Sequence, residues 1–315
     1  MLKKNNLGKS IRQFALLFVV VIIIVIMSII SDTFLTSTNI INILRQISLN
    51  GILAVGMTFV ILTGGIDLSV GSVVAISGVI SGSLLMKGFN SPIAILIALL
   101  CSLLLGLING YLIAYIKFQP FIATLSTMTI GRGFVLAYAD GKPFTISDEG
   151  FKKIGQGYFF GIPIPVILLI VAVIIALIAL NATTFGRYVF AIGGNVEAAR
   201  FSGVRTRRIQ LMVYVISSIC AWMVGLILAA RISSGQPTAG ESYEMDAIAA
   251  TAIGGTSMSG GTGSLYGTIL GFAIIGLLSN SMNLLNINSF YQQIVKGLLI
   301  IVAVFLDMKS KERSK

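Results

Sequence analysis

Residues 163–180 read Pro-Ile-Pro-Val-Ile-Leu-Leu-Ile-Val-Ala-Val-Ile-Ile-Ala-Leu-Ile-Ala-Leu, eighteen positions without one charged or strongly polar side chain. A helix of that length rises about 27 Å, close to the roughly 30 Å of hydrocarbon in a bilayer. Such a stretch has no water-facing side, so it reads as a membrane span. The rest of the chain agrees. Of 315 residues, 56% are hydrophobic and only 10% charged, against about 25% charged in ordinary globular proteins. A soluble enzyme of this size is excluded.

Similar runs recur along the chain. Phe14–Ile30, Pro92–Ile116, Leu211–Ala230 and Tyr291–Leu306 are the clearer ones, whereas Ile47–Leu62, Val70–Met86, Phe121–Ala139, Asp246–Ile253 and Ser264–Leu284 are more broken by small or polar residues. With the quoted stretch this predicts about ten transmembrane helices, hence an all-α polytopic integral membrane protein. The first run is read as a retained span and not a cleaved signal, since no A-x-A-like site follows it.

Lys3, Lys4, Lys9 and Arg12 precede the first run, Arg187, Arg200, Arg205, Arg207 and Arg208 fill the segment after Leu180, and Lys309, Lys311, Arg313 and Lys315 lie at the other end. These thirteen of the 22 basic residues fall on one side if the span count is even, which puts both termini and the central loop in the cytoplasm. The loops left outside are balanced or acidic: Asp140–Lys153 holds three charges of each sign, and Arg231 faces Glu241, Glu244 and Asp246. Topology therefore accounts for the net charge of +11 better than a nucleic-acid partner does.

Histidine is absent, which excludes a Ser-His-Asp triad and an H-E-x-x-H zinc site. No catalytic set and no metal site is expected. Cys101 and Cys220 sit in apolar runs as small hydrophobes. Asp67 has no second aspartate with which to build a protease dyad. No G-x-x-x-x-G-K-[ST] loop exists, because Gly8-Lys9-Ser10 lacks the upstream glycine and no basic residue lies between Arg231 and Lys296. The chain is not expected to bind ATP itself.

Leu62-Thr63-Gly64-Gly65-Ile66-Asp67-Leu68-Ser69-Val70-Gly71-Ser72 interrupts two apolar runs. It reads either as a tight turn in which Asp67 or Ser69 caps the next helix, or as a broken helix lining a cavity. Ile253–Gly263 repeats the pattern, with Gly64, Gly65, Ser69 and Gly71 aligning on Gly254, Gly255, Ser259 and Gly261, which predicts two related halves. Gly78 and Gly82, Gly106 and Gly110, and Gly263, Gly267 and Gly271 carry the four-residue spacing of closely packed helices. Arg132, Lys296 and Arg231 lie in or beside spans, where each is either a functional charge or a side chain reaching for headgroups.

In the central loop 181–209, Asn195 reads as the cap of a short helix, Glu197 as its first turn, Arg200 as its end and Gly203 as its stop. Such a helix is a basic anchor on anionic lipid or a knob for another protein's groove.

Together with this loop (GRYVFAIGGNVEAARFSGV, 186–204), the stretches GMTFVILTGGIDLSVGS (56–72), PFIATLSTMTIGRG (120–133) and QPTAGESYEMDAIAATAIGGTSMSGGTGS (236–264) resemble the permease subunits of bacterial ribose ABC importers, over nearly the whole chain. The resemblance implies a type II ABC importer permease fold over 1–315, with cytoplasmic tails at 1–13 and 308–315. It implies a homodimer in the bacterial cytoplasmic membrane, a separate ATPase with two nucleotide-binding domains that holds the ATP and Mg, and an extracytoplasmic sugar-binding protein. The coupling helix then falls on Gly193 to Ser202, with Gly193, Gly194, Asn195, Glu197, Ala198 and Arg200 as contacts. Thr262 departs from the pattern, which has a basic residue before Gly263.

By residue type, Thr58, Thr63, Asp67, Ser69, Asn109, Thr124, Thr127 and Asn283 are candidates for the translocation path, since a sugar needs weakly binding polar groups. Other branches of the family carry other pentoses or hexoses, autoinducer-2 or branched-chain amino acids. An ion-gradient carrier is the rival class, and it needs titratable relays that the spans scarcely contain.

Overall fold

The computed structural model describes residues 2–312, with side chains described from residue 14 onward except 306–308 and 310–312. The basic side chains of 3–12, together with Lys311, Arg313 and Lys315, lie outside the described ones. From Leu2 on, the stretch expected as an N-terminal tail continues the first helix, α1 (Leu2–Ile30).

The helices that follow are α2 (Ser37–Leu62), α3 (Val70–Met86), α4 (Ser91–Ala114) and α5 (Pro120–Ala139). Next come α6 (Glu149–Gln156), α7 (Ile164–Ala182), α8 (Thr184–Gly194), α9 (Val196–Phe201) and α10 (Thr206–Ile232). The chain then forms α11 (Tyr243–Ile253), α12 (Leu265–Leu284) and α13 (Ser289–Glu312). Local sequence sets many of the starts. Thr36 and Asn90 accept the Asn39 and Ile93 amides, and Pro92, Pro120 and Pro165 occupy first turns, where a missing N–H costs nothing.

Six of these helices, α2, α4, α5, α7, α10 and α12, are long and apolar enough to cross a membrane, and Phe14–Ile30, Val70–Met86 and Ser289–Phe305 are shorter apolar helices. The expectation that Asp246–Ile253 is a span is corrected. The 11 residues of α11 rise only about 16 Å, so this is a half-length helix. The chain reaches it by an approach over 233–242, the two-residue strand Ser234–Gly235 followed mostly by turns.

That approach begins where β4 (Ser234–Gly235) pairs antiparallel with β1 (Phe144–Thr145). From Gly235, against Gly78 and Gly82, it runs along α3 to Gly240, whose backbone touches that of Gly71. Gly240 has φ +72°, and a Cβ there would meet the Gly71 carbonyl and the Val74 side chain, so only glycine fits. A second small hairpin joins β2 (Tyr158–Phe159) to β3 (Ile162–Pro163). These strands are departures from an all-helical reading, and α6 is a helix too short to span. They lie with the ends of α3, α5 and α10 on one face of the molecule, and α8 and α9 lie on the opposite face.

The main core cluster is centred on α2, with α10, α12 and α11 against it; a second joins α3, α4, α5, α6 and α10, and a small third joins α1, α2 and α12. Small residues make the close approaches as their spacing predicts. Gly106 and Gly110 lie on α10 at Ser218 and Leu211, and Gly267 and Gly271 lie on the α11 carbonyls of Gly254 and Ala250. By contrast α4, α5 and α7 direct most of their apolar side chains outward, among them Leu96, Leu100, Ile174 and Ile175. In water that surface would aggregate; against lipid it is the expected one.

The two glycine loops share one local feature, a helix end followed by a left-handed glycine. Helices α2 and α11 end at Leu62 and Ile253, and the left-handed glycine that follows is Gly64 (φ +79°) in one case and Gly255 (φ +91°) in the other. These two glycines lie 191 residues apart, not 190, and the second loop is longer before α12 begins. Gly64 packs on the carbonyl of Ser259, so the two loops touch.

Candidate functional site

The two-turn helix expected in the central loop is α9. Asn195 Oδ1 accepts the amides of Glu197 and Ala198, each at 3.0 Å, and Arg200 bridges to Glu197 at 2.6 Å. Gly203, at φ +84°, ends it. Asn195, Glu197, Ala198 and Arg200 are exposed, and only Ala199 is buried. Phe201, at the tip, is 82% exposed, an apolar side chain held out on a capped helix between arginines.

Gly193 and Gly194 belong instead to α8, which local patterning did not reveal. They occupy unlike places. A Cβ on Gly194 would meet nothing within 4 Å, whereas a Cβ on Gly193 would collide with the Leu62 carbonyl and the Gly261 amide. The Gly261 amide in turn donates to Leu62 O at 3.0 Å. Three backbones thus meet at one point: the end of α2, the loop after α11 and the helix that carries α9. Thr262, beside this junction, is exposed, and its carbonyl accepts the Ser257 amide at 2.8 Å.

Four of the proposed path residues join in one buried network at the break between α2 and α3. Thr127 Oγ1 donates to Asn109 Oδ1 at 2.7 Å, Asn109 Nδ2 to Ser69 Oγ at 2.8 Å, and Ser69 Oγ to Asp67 Oδ1 at 2.6 Å. The Ser69 amide adds a bond to the same oxygen at 3.0 Å, and Ser217 Oγ donates to Asp67 Oδ2 at 2.7 Å. Each of these bonds runs toward the carboxylate, which accepts at the end of the chain. Thr124 supports the loop from the side by donating to Ile66 O at 3.2 Å.

Ser69 stands at the N-cap position of α3 but makes no side-chain capping bond there, so the expected cap is replaced by this network. Protein groups satisfy the broken backbone, and Asp67 is only 2% exposed. The network clamps α4, α5 and α10 around the break. Asp67→Asn sets an amide donor against these donors, and its expected cost is about 1–3 kcal/mol, read as a lower unfolding temperature in detergent. Unchanged stability would mean that the bonds do not orient the loop.

The other path candidates lie apart. Thr58 Oγ1 meets Thr268 Oγ1 at 3.0 Å across α2 and α12, and Thr63 bonds back to Val60 O at 2.8 Å. Asn283 is an exposed residue near the end of α12, accepting from Gln292 at 2.8 Å.

The charges in the spans also find places. Arg132 Nη1 donates to the carbonyls of Pro237 at 2.6 Å and Ala239 at 2.8 Å, and Nη2 to Gly71 O at 3.3 Å. It reaches the approach to α11 and not the headgroups. Lys296 pairs with Asp246 at 2.8 Å, while Arg231 is half-buried at the end of α10, beside α6. Ser217 and the Asp246–Lys296 pair escape a reading by spacing, because each partner lies on a distant segment. Their only signal is a polar or charged residue inside an apolar run.

Residues 39–304 match the family described as branched-chain amino acid transport system / permease component. The chain belongs to this family of membrane permease components and is a multi-pass protein of the inner membrane. It is 49% identical over 290 residues to the ribose import permease protein RbsC of Bacillus subtilis, covering 91% of this chain and 90% of that one. Against RbsC of Haemophilus influenzae it is 46% identical over 306 residues, 96% of this chain and 95% of the relative. The L-arabinose transport system permease protein AraH of Escherichia coli is 38% identical over 310 residues, 98% and 94% of the two chains. No solved structure matches it.

Proposed function

We propose that this chain is the membrane-spanning subunit of an ATP-driven importer of ribose, working as a pair of identical copies. A separate ATPase with two nucleotide-binding domains supplies the energy and holds ATP and Mg. An extracytoplasmic binding protein delivers the sugar. Identity approaching one half to ribose import permeases over nine-tenths of the chain supports the substrate.

One structural observation carries the mechanism. Helix α9 projects an exposed phenylalanine between arginines, and the helix that bears it touches the ends of both glycine loops. A push on α9 is thereby delivered to the break between α2 and α3 and to the loop between α11 and α12. Gly193 is then a joint and not a contact with the ATPase, which is left to Asn195, Glu197, Ala198 and Arg200. The face carrying α8 and α9 is cytoplasmic in this reading, with both termini on the same side. With α11 completed by its approach, the spans number ten.

In proteoliposomes, labelled ribose is expected to enter only when the ATPase, ATP and the binding protein are all present. Uptake by this chain alone, driven by an ion gradient, would replace the reading with a secondary carrier. Uptake of another pentose or hexose, or of autoinducer-2, in place of ribose would move the substrate within the family.

A further inference from the structure

Where the approach turns into α11, an open cavity of about 530 Å³ is lined by Met128, Thr129, Arg132, Leu136, Glu241 and Glu244 among others, all of them exposed or half-buried. Small-molecule sites occupy roughly 300–1,000 Å³, so a monosaccharide fits. The cavity is far from either end of the bundle. Tyr138 bonds to Ser83 near the α6 face. From that level Arg132 lies about 9 Å inward along α5 and Gly71 about 18 Å inward along α3. Glu244 sits against Gly71. These positions are near the middle of a bilayer of about 30 Å.

Two carboxylates at that depth need a cationic partner or water. Among the described residues neither Glu241 nor Glu244 forms an ion pair. The guanidinium beside them is committed to three backbone carbonyls, and Glu241 is exposed. Glu241 therefore opens on the cavity, while Glu244, half-buried against Gly71, stands at its wall. On α5, exposed Ser126, Thr129 and Gly133 continue a small, polar stripe along that space.

Resting on the ribose-import reading, we infer that this cavity is where the permeating sugar is held at mid-membrane. Glu241 and Glu244 accept its hydroxyl protons, Thr129 adds a hydroxyl, and Met128 and Leu136 meet its C–H face. Free carboxylates make strong but exchangeable bonds with vicinal hydroxyls, and a conduction site must release what it binds. The network around Asp67 is closed on itself and positions helices instead.

Two measurements test this. In a chain with Cys101→Ser and Cys220→Ala, Thr129→Cys is expected to react with a small charged methanethiosulfonate about tenfold faster than Ile130→Cys, an apolar position 67% exposed on the same helix, because only the thiolate in water reacts. Equal rates, or a disulfide from Thr129→Cys to a second copy without labelling, would overturn the inference. This arm uses no sugar, so it stands even if the transported solute proves not to be ribose.

In the complex with ATPase and binding protein, Glu241→Gln and Glu244→Gln are each expected to lower ribose uptake about tenfold, the loss of one charge-assisted hydrogen bond. ATP hydrolysis persists, and Glu241→Asp recovers part of the uptake. Unchanged uptake, or equal loss of uptake and ATP hydrolysis, would reject the site. A wild-type complex that hydrolyses ATP without importing ribose would instead reject the substrate reading.

Discussion

Lys296→Met is expected to destabilise the folded chain by about 3–5 kcal/mol, the cost of leaving one member of a buried ion pair alone. Lys296 Nζ is 2.8 Å from Asp246 Oδ2, with the two side chains 18% and 5% exposed. Asp246 Oδ1 has no hydrogen-bond partner, so the lysine is the main compensation for that carboxylate. The pair also joins the final span to a half-length helix that cannot cross the bilayer alone. Replacing both, Asp246→Leu with Lys296→Met, removes the stranded charge and is expected to recover most of the loss. Unfolding of the four proteins in detergent gives the coupling directly. A single variant as stable as the parent, or a double variant no better than the singles, would show that the pair is not what holds α11 to α13.

The second large effect belongs to Gly193. An added methyl there must displace the Leu62 carbonyl or the Gly261 amide, and backbone gives way less readily than a flexible side chain. Overpacking of this kind costs about 1–3 kcal/mol, concentrated where α8 meets both loops. Gly193→Ala is expected to assemble with the ATPase and to hydrolyse ATP while uptake falls by about an order of magnitude, since 1.4 kcal/mol is tenfold. Gly297→Ala, in α13 and outside the coupling loop, is the internal control, because nothing lies within 4 Å of the new Cβ. Equal transport by the two variants would remove the junction from the coupling path.

Legibility in the sequence followed the range of the interactions. The cap at Asn195, the acid and base at Glu197 and Arg200, and the stop at Gly203 all act within one short helix, so spacing alone places them. Asp67, Ser69, Asn109 and Thr127 could be chosen by residue type, but not joined. A further donor to the network, Ser217, lies 150 residues from Asp67, and no local pattern connects them. Arg132 looked like a snorkelling or functional charge. Its actual partners are carbonyls more than a hundred residues away, and carbonyls leave no trace in residue identity. The likeness of the two glycine loops was visible, but the left-handed glycines lie 191 residues apart and not at the 190 that letter matching gave, because glycine-rich stretches match at several offsets.

Apolar run length and the scarcity of charge settle by themselves that this polypeptide lives in a bilayer, since solvent leaves long uncharged helices no alternative. Absent histidine and an absent phosphate loop likewise limit the chemistry. The tertiary structure decided which breaks in those runs are joints, which charges are neutralised, and which carboxylates stand beside an open cavity. Those outcomes depend on backbone contacts between segments far apart in the chain, and contacts of that kind exist only once the helices have packed.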